Sequence, residues 1–225
     1  MAIWIKICGN TSLADARLAV EAGADAVGFV FAPSPRQVTA SEAAAIVSHL
    51  PASVEKIGVF VDAPLDEIYM IVRECKFTGV QLHFDAAPEL PARLHLRLGP
   101  DLRILRVVHF SAKAGKHAAA LALDAQQDPH VHAVLVDSRT AAAVGGTGVA
   151  FDWKRASKIL FQNAEAQQRL VAAGGLTPEN VTEAIATLRP WGVDAVSGVE
   201  ATPGVKDAEK VRQFIARARA ASVRQ

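Results

Sequence analysis

The sequence has few cysteines and almost no imbalance of charge. Its 225 residues include two cysteines, Cys8 and Cys75, which form neither a disulfide framework nor a CxxC pair and therefore favour a reducing compartment. The 24 basic and 23 acidic residues give a net charge of +1, so no broad electrostatic footprint for nucleic acid or an anionic membrane is present. Small anionic ligands stay possible because they need only a local site.

Long apolar runs, targeting signals and nucleotide motifs are also missing. No apolar run approaches the roughly 18 residues of a membrane span, and the N-terminus lacks a charged region followed by a long apolar stretch and a cleavage site. We therefore expect a cytoplasmic protein without a membrane or nucleic-acid partner. Neither GxxxxGK[ST] nor GxGxxG occurs, so a nucleotide cofactor finds no support.

Short β-branched segments alternate with alanine-rich helical segments along the whole chain. The predicted strands cover residues 3–7, 26–31, 56–61, 79–83, 103–108, 132–137, 169–175 and 193–198. Predicted helices follow each strand and begin near residues 12, 41, 64, 88, 113, 152, 177 and 206. Strands alternating with helices at about 28 residues a unit indicate a parallel sheet with right-handed crossovers.

Eight such units favour an α/β fold of the (β/α)8 TIM-barrel type, with an open doubly wound sheet as the alternative. No proline-rich linker or change in composition divides the chain, so residues 1–225 are expected to form a single domain. The three long connections all follow strands: 32–40, 138–151 and 198–205. They are therefore expected at the carboxyl-end face, where barrels of this type carry their sites.

Cys8 ends the first strand and is followed directly by glycine. Strand alternation places it on the same side as Trp4 and Lys6, so it is expected to point into the top of the barrel. One interpretation is a small buried hydrophobic residue, as expected for Cys75 late in a helix. The other is a general base, because the nearby ammonium of Lys6 would lower the pKa of the thiol and Gly9 leaves room for an approaching group.

Asp137 ends the sixth strand, "AVLVD", and either caps a loop or performs chemistry. In an eight-stranded barrel its strand is three places from the first, so Asp137 and Cys8 would face each other across the mouth. Two titratable groups on opposite sides of one cavity suit acid–base work. Beneath them, Lys6, Gln81 and Asp194 are expected to point inward as a satisfied polar layer, with Asp194 pairing the lysine.

Glycine-bearing segments end the last two strands: "AGGL" at 173–176 and "SGVE" at 197–200. In (β/α)8 barrels these two loops frequently hold a phosphate through backbone N–H groups. Arg36, in the long loop after the second strand, is either a surface residue or a clamp for a carboxylate. His83 ends the fourth strand as a polar lining residue or a weak metal ligand. Because no HExxH pattern surrounds it, no metal is expected.

Seven motifs follow one another along the chain: "KICG", "GFVF…SPR", "GVFV", "GVQLH", "VD…GGTG..FDW", "AGGL" and "SGVE..PGVKD". Together they resemble the phosphoribosylanthranilate isomerases of tryptophan biosynthesis. The match runs from Lys6 to Asp207 in the same order and spacing, so no single motif carries it. The resemblance implies a (β/α)8 barrel that catalyses an Amadori rearrangement of a small phosphorylated substrate without metal or organic cofactor. We expect a monomer or a homodimer.

The resemblance also implies roles for individual residues. Cys8 matches the general base of the family and Asp137 its general acid. Arg36 matches the arginine that receives the anthranilate carboxylate, and His83 lines the substrate site. The phosphate-binding elements are matched by the two glycine-bearing loops, at Gly174, Gly175, Ser197 and Gly198.

Two positions depart from the family pattern. Phe84 follows His83 where glycine is frequent, and Val196 precedes Ser197 where a second serine is frequent. The first would narrow the mouth of the barrel, and the second would alter the phosphate loop or the layer beneath it. Two other functions stay open: another sugar-phosphate barrel isomerase or epimerase, and a barrel that binds a phosphorylated ligand without catalysis.

Overall fold

The fold is a closed barrel of eight parallel strands surrounded by helices. A computed structural model of the chain describes residues 2–83, 86–110, 115–137, 153–161 and 169–222. The barrel strands are hydrogen-bonded in sequence order, β1 to β8, and β1 closes the ring by pairing with β8 through Lys6 opposite Asp194 and Ile7 opposite Ala195. Closure leaves no edge strand, so the alternative of an open doubly wound sheet is wrong and the (β/α)8 prediction is confirmed.

The barrel strands lie close to the predicted segments. They are β1 (Trp4–Ile7), β2 (Ala26–Val30), β3 (Glu55–Phe60), β4 (Gly79–Leu82), β5 (Arg103–His109), β6 (Ala133–Asp137), β7 (Leu170–Ala173) and β8 (Gly192–Ala195). A small antiparallel hairpin follows, made of β9 (Glu200–Thr202) and β10 (Val205–Lys206).

Helices follow the strands in the expected alternation. They are α1 (Leu13–Glu21), α2 (Ala40–Val47), α3 (Leu65–Cys75), α4 (Leu90–Leu98), α5 (Gly115–Gln127), α6 (Trp153–Ala156), α7 (Val181–Leu188) and α8 (Ala208–Ser222). A π-helical turn, Ser157–Phe161, continues α6, and a 3₁₀ turn, Ser197–Val199, precedes the hairpin. In the described part of the chain, no helix is both long and apolar enough to cross a membrane.

One helix start differs from prediction. Thr177 caps a turn, since its hydroxyl accepts from the Glu179 N–H (3.2 Å) and its own N–H donates to Asn180 Oδ1 (2.8 Å), but α7 begins only after this turn, at Val181. The last helix begins at Ala208, two residues after Lys206, near which it was predicted to start, and Lys206 itself belongs to β10. The predicted cap at Ser12 is confirmed, since its hydroxyl accepts from the Asp15 N–H (3.1 Å).

The strands border two separate apolar regions. The larger lies between strands and helices and includes Ile5, Phe29 and Phe214. The smaller fills the barrel interior, and its members are Trp4, Ala26, Ile57, Leu105, Val107, Ala133, Leu135, Val171 and Ala173. Because strand residues alternate between the two, the side on which any strand residue lies follows from its neighbours two positions away.

Candidate active site

Cys8 and Asp137 both lie at the carboxyl-end mouth of the barrel. Trp4 belongs to the interior cluster, so the residues two and four positions on, Lys6 and Cys8, also face inward. Leu135 belongs to that cluster as well, which places Asp137 on the inward side at the end of β6. Both side chains are buried, at 3% and 2% exposure respectively. Strands β7 and β8 separate them along the shorter way around the barrel.

The predicted polar layer lies directly beneath Cys8 and is confirmed. Lys6 is fully buried, and its ammonium donates to Asp194 Oδ1 (2.9 Å) and to Gln81 Oε1 (2.9 Å). A buried ammonium is thereby paired with a carboxylate and an amide oxygen. Burial alone would lower the pKa of Lys6, but Asp194 and then Cys8 outweigh it, so the pKa is raised and the ammonium keeps its charge.

The expected lowering of the pKa of Cys8 is wrong in its net direction. Burial raises the pKa of this thiol above its usual value, and Asp194 adds to the rise. Lys6 and Lys206 oppose it through their positive charge, and Lys6 also through a hydrogen bond. The sequence indicates the neighbouring cation correctly, but it does not reveal the complete desolvation, which favours the neutral thiol.

His83 lies beside Asp137 together with a second histidine, His109, at the end of β5. One ligand atom from each of the three residues lies within 4.8 Å of the other two, and the two imidazole rings meet edge to face at 5.1 Å. Two imidazoles and a carboxylate are a set that first-row divalent ions accept. Such an ion would occupy the Asp137 carboxyl group and compete with proton transfer there.

The hydrogen bonds from Lys6 determine the tautomer of His83. A lysine ammonium only donates, so Gln81 turns its Oε1 to Lys6 and its Nε2 to His83 Nδ1, at 3.1 Å. The amide nitrogen also only donates, so Nδ1 is the acceptor. His83 is therefore neutral with its proton on Nε2, which makes it a hydrogen-bond donor at the mouth of the barrel.

The two glycine-bearing loops are adjacent in space. Gly174 and Gly175 both have left-handed backbones, with φ of 82° and 69°. A Cβ atom on Gly198 would lie 1.9 Å from the Leu176 carbonyl oxygen, so only glycine permits this contact. Ser197 is exposed and begins the 3₁₀ turn after β8. The loops after β7 and β8 thus form one surface at the mouth, as the phosphate prediction requires.

Arg36 reaches over the mouth rather than into solvent. Its stem crosses Gly9, where a Cβ atom would lie 2.8 Å from Arg36 Cδ, and the φ of +73° at Gly9 also favours glycine. The space that Gly9 leaves by lacking a side chain is therefore occupied by the Arg36 side chain. The guanidinium binds Glu200 through two hydrogen bonds, Nε to Oε1 (2.8 Å) and Nη2 to Oε2 (2.6 Å). The sequence did not predict this partner.

Three residues at the mouth were missed by sequence reasoning. His109 ends a strand as His83 and Asp137 do, but the predicted strand stopped one residue short of it. Glu200 lies in the segment 198–205, predicted to be a long loop, and Lys206 lies where the last helix was predicted to begin, although Pro203–Gly204 is a turn signal between two short segments. That signal alone predicts the hairpin but not the contact with Arg36.

Some predicted features lie outside the described residues. These are Phe84, the glycine-rich segment 145–148, and the remainder of the long connection 138–151.

The other departure from the family pattern, Val196, lies beside Gly9, where a Cβ atom would be 3.2 Å from Val196 Cγ1. Val196 therefore borders the loop after β1 at Gly9, next to Cys8 and beside the Arg36 side chain.

Sequence comparisons place the chain among isomerases. Residues 5–217 match the family model described as N-(5'phosphoribosyl)anthranilate (PRA) isomerase. N-(5'-phosphoribosyl)anthranilate isomerase from Geotalea daltonii is 44% identical over 216 residues, which cover 96% of each chain. The isomerase of the same name from Pelobacter propionicus is 44% identical over 214 residues, or 95% of this chain and 94% of that one.

Solved structures agree with these relatives. Phosphoribosyl anthranilate isomerase from Thermotoga maritima superposes with a TM-score of 0.84 at 35% identity, covering 97% of this chain and 99% of that one. A phosphoribosyl anthranilate isomerase in complex with reduced 1-(o-carboxyphenylamino)-1-deoxyribulose 5-phosphate gives 0.79 at 34% identity with the same coverage. Together with the barrel and its mouth, these matches show that the chain belongs to the N-(5'-phosphoribosyl)anthranilate isomerase family.

Proposed function

We propose that this chain converts N-(5'-phosphoribosyl)anthranilate to 1-(2-carboxyphenylamino)-1-deoxyribulose 5-phosphate in tryptophan biosynthesis, with Cys8 as general base and Asp137 as general acid. The observation that carries the assignment is the placement of a buried thiol and a buried carboxyl group at one barrel mouth, on strands β1 and β6. A ligand lying across that mouth would meet both groups.

The reaction begins with opening of the furanose ring. Protonated Asp137 gives its proton to the ring oxygen, the C1–O bond breaks with its electron pair on oxygen, and the anthranilate nitrogen forms a C1=N bond. The product is a protonated Schiff base, and Asp137 is left as a carboxylate. Its burial supports this role, since a bound sugar would complete the exclusion of water around the transferred proton.

The second step removes the proton at C2. The Cys8 thiolate takes this proton, the C2–H electron pair forms a C1=C2 bond, and the C1=N electrons return to nitrogen. The resulting enolamine becomes the ketone when its 2-hydroxyl loses a proton and C1 gains one. Cys8 ends as a thiol and Asp137 as a carboxylate, so one proton must pass from the first to the second, directly or through solvent, before the next turnover.

Anchors at both ends of the substrate would hold C1 and C2 between the acid and the base. Gly174 and Gly175 in the β7 loop, with Ser197 and Gly198 after β8, are assigned to the phosphate, supported by their adjacency at the mouth. Arg36 is assigned to the anthranilate carboxylate and His83 to the lining of the site. Two fixed charges at opposite ends supply orientation, which can account for much of an enzymatic acceleration.

The test compares turnover with binding in single variants. Cys8→Ser and Asp137→Asn are each expected to lower kcat by at least about 100-fold, the usual contribution of a positioned acid or base. Both should keep the affinity of the wild-type protein for the reduced product analogue. Loss of substrate fluorescence measures turnover and calorimetry measures binding. Cys75→Ser, at the buried end of α3, is the matched control and should retain full turnover. Undiminished kcat in either site variant would remove the role assigned to it.

Location and assembly are proposed more broadly. We place the protein in the cytoplasm, which its two free cysteines and its biosynthetic reaction support. We expect a monomer or a homodimer, and a related Thermotoga maritima isomerase is described as dimeric. Light scattering after size-exclusion chromatography distinguishes these two states, and a larger assembly would contradict both.

A further inference from the structure

The carboxylate anchor assigned above already has a carboxylate partner inside the protein. Arg36 binds Glu200 through Nε and Nη2, which is the side-on edge of the guanidinium. The Glu200 side chain is 3% exposed and that of Arg36 is 18% exposed. A short, two-point contact with a buried acid holds the guanidinium plane in one orientation, unlike a single exposed contact.

Glu200 is shared with a second buried cation. Lys206 donates to Glu200 Oε1 (2.9 Å) and to the backbone carbonyl of Cys8 (2.6 Å), and its side chain has no exposed surface. Burial acts to raise the pKa of Glu200, but Arg36 and Lys206 outweigh it, so the pKa lies below its usual value and the carboxylate stays ionised. The Glu200 cluster, defined as Arg36, Glu200 and Lys206, keeps one net positive charge when all three are ionised.

The hairpin that carries Glu200 is fixed against the loop that carries Arg36. A Cβ atom on Gly204, in the hairpin turn, would lie 2.7 Å from the Pro35 carbonyl oxygen. The Gly204 carbonyl accepts a hydrogen bond from the Thr11 hydroxyl at 2.6 Å. The hairpin therefore joins the loop after β2 to the loop after β1, and it fixes Arg36 relative to Cys8.

We propose that Glu200 is a positioning residue that aims Arg36 at the aryl carboxylate of the substrate. Glu200 uses the edge formed by Nε and Nη2. The guanidinium has a second edge, formed by Nη1 and the other Nη2 proton, which this pair does not use and which matches a carboxylate in two-point geometry. The inference rests on the proposed function, because it assigns that edge to the anthranilate group.

Charge alone and positioning predict opposite effects of Glu200→Gln. If the Glu200 cluster attracted the ligand only through its charge, loss of the anion would make the mouth more positive and binding of a carboxylate tighter. If Glu200 positions Arg36, the glutamine has only one oxygen to accept where the glutamate has two. The guanidinium then loses its orientation, and a carboxylate ligand binds more weakly.

Two probes isolate the carboxylate. One is the reduced product analogue, reduced 1-(o-carboxyphenylamino)-1-deoxyribulose 5-phosphate, and the other is its counterpart without the carboxyl group. Calorimetry of Glu200→Gln is expected to show about tenfold weaker binding of the first probe, with the second within about twofold of wild type. With substrate, KM should rise by a similar factor while kcat changes little, since neither Cys8 nor Asp137 is altered.

Matched variants complete the design. Asp66→Asn removes the acid from the exposed ion pair with Arg97 and should change binding of neither probe. Glu200→Asp keeps the charge but shortens the side chain. If Glu200 positions Arg36, this variant should lose preference for the carboxylated probe. If only its charge matters, that preference should be unchanged. If Glu200→Gln fails to fold, Glu200→Gln/Lys206→Met removes both buried charges, and the same loss of preference for the carboxylated probe is expected.

The outcomes separate the inference from the proposed function. Equal weakening of both probes, unchanged binding, or tighter binding of the carboxylated probe by Glu200→Gln would each overturn the role of Glu200. Wild-type protein that turned over the substrate and preferred the carboxylated probe would leave the proposed function standing in those cases. Wild-type protein that bound neither probe would overturn the proposed function and this inference together.

Discussion

The layer between the strands and the helices and the space inside the barrel differ in chemistry, although the same strands border both. On β1, the outward residues Ile5 and Ile7 join the large apolar layer, whereas the inward residues are Trp4 and Lys6, with Cys8 directly after them. The outer layer is continuous and apolar. The interior is mixed: Glu55 and Arg103 form an ion pair at the amino ends of β3 and β5, apolar residues follow, and Lys6 pairs with Asp194 beneath the mouth.

This difference separates stability from chemistry within a single strand. Burial of apolar area in the outer layer is the main favourable term for the fold. The upper interior instead buries charges, which costs free energy unless each charge is paired. A protein tolerates such a region where its surroundings are already stable, and where the charges serve a reaction.

The largest loss of stability is expected from a substitution in the apolar layer between the strands and the helices. Phe214→Ala truncates a fully buried ring of α8 and is expected to lower the free energy of unfolding by about 3–5 kcal/mol, since it leaves a cavity. Urea denaturation measures this loss. Well below the melting temperature, kcat should stay within about twofold of wild type because the ring packs in the layer between strands and helices and not with the residues assigned to catalysis. A large fall in kcat of the folded variant would contradict the separation.

The interior is tested at its buried ion pair. Lys6→Met leaves Asp194 as a buried carboxylate without its cation and is expected to cost about 3 kcal/mol of unfolding free energy. Lys6→Met/Asp194→Asn removes both charges and should recover a large part of that loss. Urea unfolding of the two single variants and the double variant completes the cycle. A double variant that loses as much stability as the two single variants together would show that the pair is not coupled.

The pH dependence of turnover tests the surroundings of Cys8. The thiolate is the active form, and burial raises the pKa of this thiol, so the active fraction grows as pH rises. We expect kcat/KM to increase by up to about tenfold per pH unit between about pH 7 and pH 9. Cys75, whose pKa is raised to about 11 by burial, does not contribute, and Cys75→Ser should give the same profile. A flat profile would exclude Cys8 as the limiting base.

The smallest effect is expected at Gly9. Gly9→Ala places a Cβ atom in a left-handed backbone and against Arg36 Cδ, and should cost about 1 kcal/mol of stability. Displacement of the arginine should raise KM more than it lowers kcat. Gly99→Ala, also left-handed but with open space around it, is the control, and it should share the backbone cost without the change in KM. Equal kinetics in both variants would show that Gly9 does not seat Arg36.

Much of the fold followed from the sequence because its signals are local. Alternation of β-branched and alanine-rich segments predicts strands and helices, and parity along β1 and β8 predicts that Lys6 meets Asp194. The differences lie at element boundaries. Thr177 caps a turn as its residue type predicts, but α7 begins only after that turn, at Val181.

The candidate site was predictable only in part. Residues at strand ends follow from strand parity, which places Cys8, His83 and Asp137 at one mouth. The Glu200 cluster does not follow, because Arg36 and Glu200 are 164 positions apart and neither lies in a barrel strand. The net pKa direction of Cys8 was also beyond the sequence, because it depends on how fully the surrounding atoms exclude water.

The sequence by itself determined the eight β-α units, the inward or outward side of each strand residue, and the residue types available for acid–base chemistry. These are properties of period and order, which a single chain carries without knowledge of its contacts. Only the tertiary structure decided which charges pair, how completely the thiol is desolvated, and which acid fixes the arginine at the mouth. Electrostatic interactions depend on distance and on the exclusion of water, and both exist only once distant segments are packed together.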